Sequence, residues 1–460
     1  MAAAIPRLVV AGTASGVGKT TVMVALTEAL RRRGRRVAVF KCGPDYLDPT
    51  YHARASGGAC HNLDGWMMGR EAVLQTFARG SAGADVALIE GVMGLYDGAS
   101  PDSDEGSAAE IAKWLDAPVL AVVDASGMAR TVAAIALGLA AFDPALRIGG
   151  LFANRVGSTG HLDILRSACA RRGVAPVLGG LPDEPGLAFP ERHLGLRTAD
   201  RAAVPDEKLA AWGALVEKMT DPLALERLAQ SAPALDVPAP GERERAPRRC
   251  RVALADDAAF HFYYDDNLRR LEALGAELVR FSPIADARLP PADGVYLGGG
   301  YPEAHAAALA ANRSMRESLR AFAASGAPVY AECGGLMYLS RAIRTLDGRE
   351  HEMVGLVPGV AVMSDRLQAL GYVEVETQRR TILGGAGLRL RGHQFRYSTL
   401  EGADGGGAYS VRRRRGGATH VEGYGGENVL ASYVHAHWAS NPLCAEGFVA
   451  SCAARAGAHR

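Results

Sequence analysis

The 460-residue chain reads as two α/β domains in tandem, each a mostly parallel sheet wound between helices. Three observations carry this reading. The first half alternates short apolar runs with helical stretches. A stretch rich in proline, alanine and charge interrupts the pattern around Pro240. A second series of apolar runs then begins.

Taken in order, "RLVVAG" enters a glycine-rich loop, and "KTTVMVALTEALRRRG" follows as a helix closed by Gly34. "RVAVFKCG", "ADVALIEG", "APVLAVVDAS", "RIGGLFANR" and "APVLGGLP" come next. They are rich in Val, Leu and Ile without strict alternation, as strands buried on both faces are. "SAPALDVPAPGERERAPRRC", Ser231 to Cys250, has no apolar periodicity and reads as a linker. Its central part, 236–248, separates a domain at 1–235 from one at 249–460. "CRVALADD", "AELVRFSP", "GVYLGGG" and "APVYAECGG" open the second sheet, and "LGYVEVET" and "VLASYVHAHW" are expected to close it. "GADGGGAYSVRRRRGG" is expected to be a flexible, basic surface hairpin, solvated and not bound to nucleic acid.

Composition narrows the function classes. Net charge is +1, so no global field draws nucleic acid or an anionic membrane. No apolar run reaches the ~18 residues of a membrane span. The start "MAAAIPRLVVAG" lacks the layout of an export signal. Seven scattered cysteines form no CxxC pair, which fits a reducing, cytoplasmic setting. Small molecules are the expected partners; a homodimer is allowed by the sequence but not specified.

"AGTASGVGKTT", Ala11 to Thr21, is nearly a phosphate-binding loop. The usual pattern has four residues between its first glycine and the Gly-Lys pair. Five stand here, Thr13 to Val17. The physical requirements are nevertheless met. Thr13, Gly16, Gly18, Lys19, Thr20 and Thr21 offer backbone N–H groups, hydroxyls and an ammonium at a helix N-terminus, which suits the phosphates of ATP. The Thr20 hydroxyl suits Mg²⁺, which takes one or two carboxylates besides phosphate oxygens and water. Asp45 and Glu90, at strand ends, are expected to complete that shell. Each could instead be a cap or turn residue. For Asp124, followed by "ASG", that alternative weighs as much as function.

The second domain carries a different chemistry. In "APVYAECGGLMYL" a strand runs into Cys333 and a helical pattern follows. A thiol at such a turn is exposed to substrate, and the helix N-terminus is expected to favour thiolate. "YLGGGYPE" can offer Gly299 or Gly300 as backbone donors to an oxyanion. His435, in "ASYVHAHW", is the candidate base, preferred to His437.

"GTASGVGKT" resembles the loop of dethiobiotin synthetase and its relatives, P-loop enzymes that activate a carboxyl-type group with ATP. The loop of partition ATPases places a lysine where Ala14 stands, which weakens that comparison. By the synthetase resemblance Asn154, in "GLFANRV", contacts adenine. The second domain resembles class I glutamine amidotransferases, flavodoxin-like domains that release ammonia through a cysteinyl thioester. Most of them have His-Pro-Glu where this chain has His435-Ala436-His437, so the third acid is missing. The cobyric-acid branch shares that departure and works with a Cys–His dyad.

Further stretches resemble the cobyrinic acid a,c-diamide synthase family: "FKCGPDYLDPTYH", "CHNLDGWMM", "EGVMGLYDG", "FPERHLGL", "LGGGYPEAH" and "GHQFRYS". Gln394 and Arg396 depart from the commoner "GHEFHYS". The resemblance implies ATP- and glutamine-dependent amidation of the a- and c-acetate groups of cobyrinic or hydrogenobyrinic acid, in cobalamin synthesis, through acyl phosphates. A nickel-sirohydrochlorin diamide synthase is the runner-up. A nucleotide-dependent binding or partition protein is the alternative from another class. Asp48 and Asp97 are candidates to position the corrin or the metal, with turn residues as the alternative. Asn62, Asp64, Arg192 and His193 lie in family-like stretches and are further substrate candidates. Arg192 suits the corrin carboxylates, and a plain surface role competes equally.

Overall fold

The computed structural model describes residues 2–3, 5–184, 204–237, 246–403 and 406–458. Arg192, His193 and most of the expected linker lie outside these residues. The chain divides into two compact units, Met1–Gly241 and Glu242–Arg460.

The first unit is built on seven strands, β1 Arg7–Gly12, β2 Val37–Cys42, β3 Cys60–Leu63, β4 Val86–Gly94, β5 Val119–Asp124, β6 Ile148–Val156 and β7 Val177–Pro182. Their order in the sheet is β3-β2-β4-β1-β5-β6-β7, and every pairing is parallel. Central strands are buried along nearly their whole length, β1 completely, as their unalternating apolar runs require. The helices are α1 Lys19–Arg32, α2 Asp48–Ser56, α3 Gly65–Gly80, α4 Ala108–Trp114, α5 Thr131–Phe142, α6 Thr159–Arg172, α7 Asp206–Met219 and α8 Pro222–Gln230. One face of α1 packs with the sheet and with Trp212 and Val216 of α7 in one apolar core. The strand order reverses beside β1, so the loop after β1 opens at a switch point, where such sheets bind ligands. β3, "CHNL", is an edge strand too short and polar to announce itself in sequence.

The second unit holds a parallel sheet of β8 Cys250–Ala255, β9 Ala276–Phe281, β10 Gly294–Leu297, β11 Val329–Glu332 and β20 Val429–Ser432, in the order β9-β8-β10-β11-β20. Its helices are α9 Asp265–Ala273, α10 Ala306–Ala311, α11 Arg313–Ala324, α12 Gly334–Leu339 and α13 Leu443–Ala458. Two further sheets follow. One contains β12 Ala342–Arg344, β13 Glu350–Glu352, β14 Val360–Met363 and β17 Ser398–Glu401. The other is antiparallel, of β15 Ala369–Thr377, β16 Arg389–Arg396, β18 Tyr409–Arg413, β19 Thr419–Glu422 and β21 His435–His437, in the order β19-β18-β15-β16-β21.

This corrects the expected closure of the second sheet. "LGYVEVET" is β15 of the separate antiparallel sheet, and its burial alternates, as a one-sided strand's does. "VLASYVHAHW" breaks in two: β20 joins the parallel sheet and β21 the antiparallel one. The arginine-rich stretch is the β18–β19 hairpin, and Arg412 pairs with Glu374 of β15. Among the described residues no helix is long and apolar enough to cross a membrane.

Candidate active sites in the two units

The loop between β1 and α1 absorbs its extra residue through two glycines in left-handed conformation. Gly16 has φ 79° and Gly18, the N-cap of α1, has φ 90°. A side chain at Gly18 would also collide with Asn154 Nδ2, 2.0 Å from its Cβ position, so only glycine fits. Val17 turns inward and is buried. The loop is laced down from β6. Asn154 Nδ2 donates to the Val17 carbonyl at 2.9 Å, and Arg155 Nη2 donates to the Gly16 carbonyl at 3.1 Å while pairing with Asp124. Thr13 N–H bonds the Val122 carbonyl of β5. Asn154 is thus a brace of the loop, whatever it contacts in a nucleotide. Thr21 lies in the first turn of α1.

Lys19 folds back over the loop and donates to the Ala14 carbonyl at 2.9 Å. Burial lowers its pKa, and repulsion from Lys41 lowers it further. Thr20 Oγ1 lies 3.0 Å from Glu90 Oε1. Glu90 is fully buried in the middle of β4, which runs on to Gly94, so it is not the strand-end residue the sequence suggests. Its carboxylate also meets Lys41 Nζ at 3.0 Å and His52 Nε2. Burial alone would raise the Glu90 pKa; the attraction of Lys41 and of His52 outweighs it and holds the group below the ordinary range.

Lys41 is the residue the sequence reading missed. It sits inside the apolar run of β2, only 2% exposed, and is ringed by Asp48 at 2.7 Å, Glu90 at 3.0 Å and Asp45 at 3.9 Å. Burial opposes its charge, and the three carboxylates more than restore it, so its pKa is raised. Asp48 is therefore an internal counterion of Lys41 in this structure. Asp45 caps its own turn, accepting from the N–H of Leu47 and Asp48. Burial, and then the Asp48 charge, push it up to about 6. Asn62 holds this turn through the carbonyls of Gly43 and Asp45. Asp64 caps α3, accepting from Met67 N–H, and Asp97 accepts from Gly94 N–H beside the loop.

The hydroxyl and carboxylate oxygens of Thr20, Glu90 and Asp45 are hard donors beside a phosphate loop, which fits Mg²⁺. Among the described residues no group of three or more His, Cys, Asp or Glu forms a closed metal site. A shell that borrows its other oxygens from phosphate and water needs none.

In the second unit Cys333 stands between β11 and α12 with φ 47° and ψ −100°, a conformation L-residues avoid. Such backbones cost about 1–3 kcal/mol and persist where packing over-determines them. Packing does so here. The Cys333 N–H bonds the Ser432 carbonyl at 2.7 Å, and a Cβ on Gly335 would lie 2.4 Å from the Leu297 carbonyl oxygen. Gly334 lies against the glycine turn after β10: a Cβ there would meet Gly300 N at 3.1 Å. The Gly300 N–H donates to no group among the described residues, so it is free for an oxyanion. A Cβ on Gly299 would strike the His435 ring, 2.4 Å from Cε1. Base, elbow and glycine turn therefore converge.

His435 is buried and stacks on His393, its partner across β16, with centroids 4.9 Å apart. Burial drives its pKa down to about 3. The thiol is pushed up to about 12, by burial first and then by Glu303, against the pull of Arg396. This corrects the expected thiolate: the short helix α12 does not offset desolvation. The thiol points to the Phe395 carbonyl, 3.9 Å away. His437, in place of the third acid, is buried against Tyr264. Gln394 has a clear role: its amide donates to the buried Glu422 carboxylate at 2.7 Å, which a second carboxylate could not do. Arg396 lies over the Tyr433 ring, 4.5 Å away.

Residues 8–196 match the CobQ/CobB/MinD/ParA nucleotide binding domain, and residues 251–443 match the CobB/CobQ-like glutamine amidotransferase domain. A cobyrinate a,c-diamide synthase of Leptospira interrogans (serovar copenhageni) is 52% identical over 97% of this chain and 98% of its own. Those of Syntrophotalea carbinolica and Dehalococcoides mccartyi strain CBDB1 are 48% and 44% identical, over at least 96% of this chain and 97% of theirs. The chain belongs to the cobyrinate a,c-diamide synthase family. Membership makes it a ligase that forms C–N bonds with glutamine as amido donor, on a P-loop domain followed by an amidotransferase domain. The reading as a partition protein falls away, since these full-length relatives are synthases.

Proposed function

We propose that this chain amidates the a- and c-acetate carboxylates of cobyrinic acid, or of its metal-free counterpart, with ATP and with ammonia from glutamine. The observation that carries this is the pairing, in one chain of that family, of the Lys19–Thr20–Glu90 cluster with the Cys333 elbow. Lys19 screens the γ-phosphate while a substrate carboxylate attacks it. Thr20, Glu90 and Asp45 would hold Mg²⁺, which when bound neutralises charge on the phosphate oxygens. Buried Lys41 keeps Glu90 ionised for that task. Ammonia then displaces phosphate from the acyl phosphate. In the second unit His435 takes the Cys333 proton as the thiol attacks the glutamine amide, and Gly299 or Gly300 N–H receives the oxyanion. Arg396 and Glu303, of opposite charge and both felt by the thiol, suit the carboxylate and ammonium of glutamine.

The test is mass spectrometry on the purified chain with ATP, Mg²⁺ and glutamine, offered cobyrinic acid, hydrogenobyrinic acid and nickel-sirohydrochlorin in parallel. Two successive losses of about one mass unit, OH replaced by NH₂, are expected on a corrin. Change on the nickel compound alone would transfer the reading to that tetrapyrrole. Glutamine hydrolysis with no mass change on any of them would overturn the acceptor.

A variant tests the metal shell separately. Glu90→Gln keeps the volume and removes the charge. Steady-state Mg²⁺-ATP turnover should fall by about 100-fold, the order seen when one charge-stabilising group or metal partner is lost. Near-normal rates would discredit Glu90 as a metal-shell residue.

A further inference from the structure

β21, which carries His435, is the outermost strand of its sheet and, among the described residues, has a single strand neighbour, β16. Edge strands leave a row of N–H and C=O groups unpaired, and such groups must find partners when buried. Here the outer edge is buried and closed by side chains. Ala436 N–H donates to Glu332 Oε1 at 3.1 Å. The Ala436 carbonyl accepts from Asn267 Nδ2 at 2.8 Å, and Trp438 N–H donates to Asn267 Oδ1 at 2.8 Å. Both clamping side chains are buried, Glu332 at 1% and Asn267 at 0% exposure.

The two arms come from different places. Glu332 is the last residue of β11 and immediately precedes the nucleophile. Its carboxylate is itself fixed by the Tyr330 hydroxyl at 2.8 Å and the Tyr296 hydroxyl at 3.2 Å. Asn267 lies on α9. Ala436, next to the base, is thus tied through its N–H to the nucleophile's own strand and through its carbonyl to a helix. His393 backs the imidazole from β16.

We propose that Glu332 and Asn267 are positioning residues for His435, aiming the base through the backbone of Ala436. The proposal rests on the reading of Cys333 and His435 as the glutamine-hydrolysing pair. It explains how His435 is oriented when position 437 holds a histidine. The clamp needs an acceptor at 332, not a charge. A glutamine there can turn its carbonyl oxygen to Ala436 N–H and its amide to the Tyr296 oxygen. A leucine can do neither.

The test measures glutamine hydrolysis and ammonia-dependent amidation side by side on the full chain. Glu332→Leu and Asn267→Leu should each lower kcat with glutamine by about 100-fold, the order expected for a base displaced by about an ångström. KM for glutamine and the ammonia-dependent rate should stay within about twofold of the parent, within the scatter of near-neutral changes. Glu332→Gln should recover most of the glutamine rate. The double Leu variant should fall little below the worse single one, because both act on one residue, Ala436.

A Glu332→Gln variant as slow as Glu332→Leu would overturn the proposal in favour of a charge effect. A rise in KM would overturn it in favour of glutamine binding. Should the leucine variants fail to fold, Asn267→Asp carries the test. It keeps the acceptor for Trp438 and loses the donor to Ala436, so it should slow glutamine use while Glu332→Gln does not; an unchanged rate would overturn the clamp. Glutamine use surviving in Cys333→Ala would instead fault the underlying reading.

Discussion

Lys19→Ala is expected to abolish amidation with glutamine and with ammonia alike. Loss of a single preorganised donor to a developing oxyanion costs about 100- to 1,000-fold. A lysine that also holds the terminal phosphates stands at the upper end of that range or beyond it. The loss is independent of nitrogen source because the acyl phosphate must form before ammonia can act. The fold should tolerate the change. Among the described residues the Lys19 side chain makes one hydrogen bond, to the Ala14 carbonyl, and its charge is disfavoured by burial and by Lys41. A melting curve near that of the parent, with no product from either nitrogen source, is the expected pair of results. Undiminished turnover would remove Lys19 from the phosphate site.

How much of this was legible in sequence depends on how local each signal is. The phosphate loop was legible because glycine spacing, Lys19 and Thr20 lie within one short run after a strand. Even its irregular length resolves locally, through the left-handed Gly16 and Gly18. The Cys333 elbow was legible for the same reason. Lys41 was hidden because it sits in "VAVFKC", an apolar strand, and its three carboxylates come from a following turn and from β4. Asp45 and Glu90 could be chosen as strand-end acids; their buried cation could not. His52, which closes the other side of Glu90, reads as an ordinary helical residue.

Topology shows the same division. Unalternating apolar runs identified the parallel strands of the first unit except the short, polar edge strand β3. The antiparallel sheet of the second was misassigned because strand patterns carry no label for the sheet they join. "SYVHAHW" crosses between two sheets within a few residues, and that crossing creates the buried edge held by Glu332 and Asn267. The thiol's protonation was misjudged by weighing a helix N-terminus without the burial around it.

The other large effect belongs to Cys333. Cys333→Ala should reduce glutamine-dependent amidation to background while ammonia-dependent amidation continues near the parental rate. The thiol supplies the electron pair that forms the thioester, and no other described residue beside the glycine turn offers a nucleophile of that kind. The neighbouring machinery survives the change: Gly300 N–H, His435 and its stack on His393 do not depend on the sulfur. Residual hydrolysis by positioned water would still fall short by several orders of magnitude, since nucleophile loss in a serine-protease triad costs about a million-fold. The comparison with Lys19→Ala decides between two architectures. Two separable chemistries require one variant to spare ammonia and the other to spare nothing. A Cys333→Ala enzyme that still consumes glutamine would end the thioester mechanism. One that loses ammonia-dependent amidation as well would mean that the second unit contributes more than ammonia to the first.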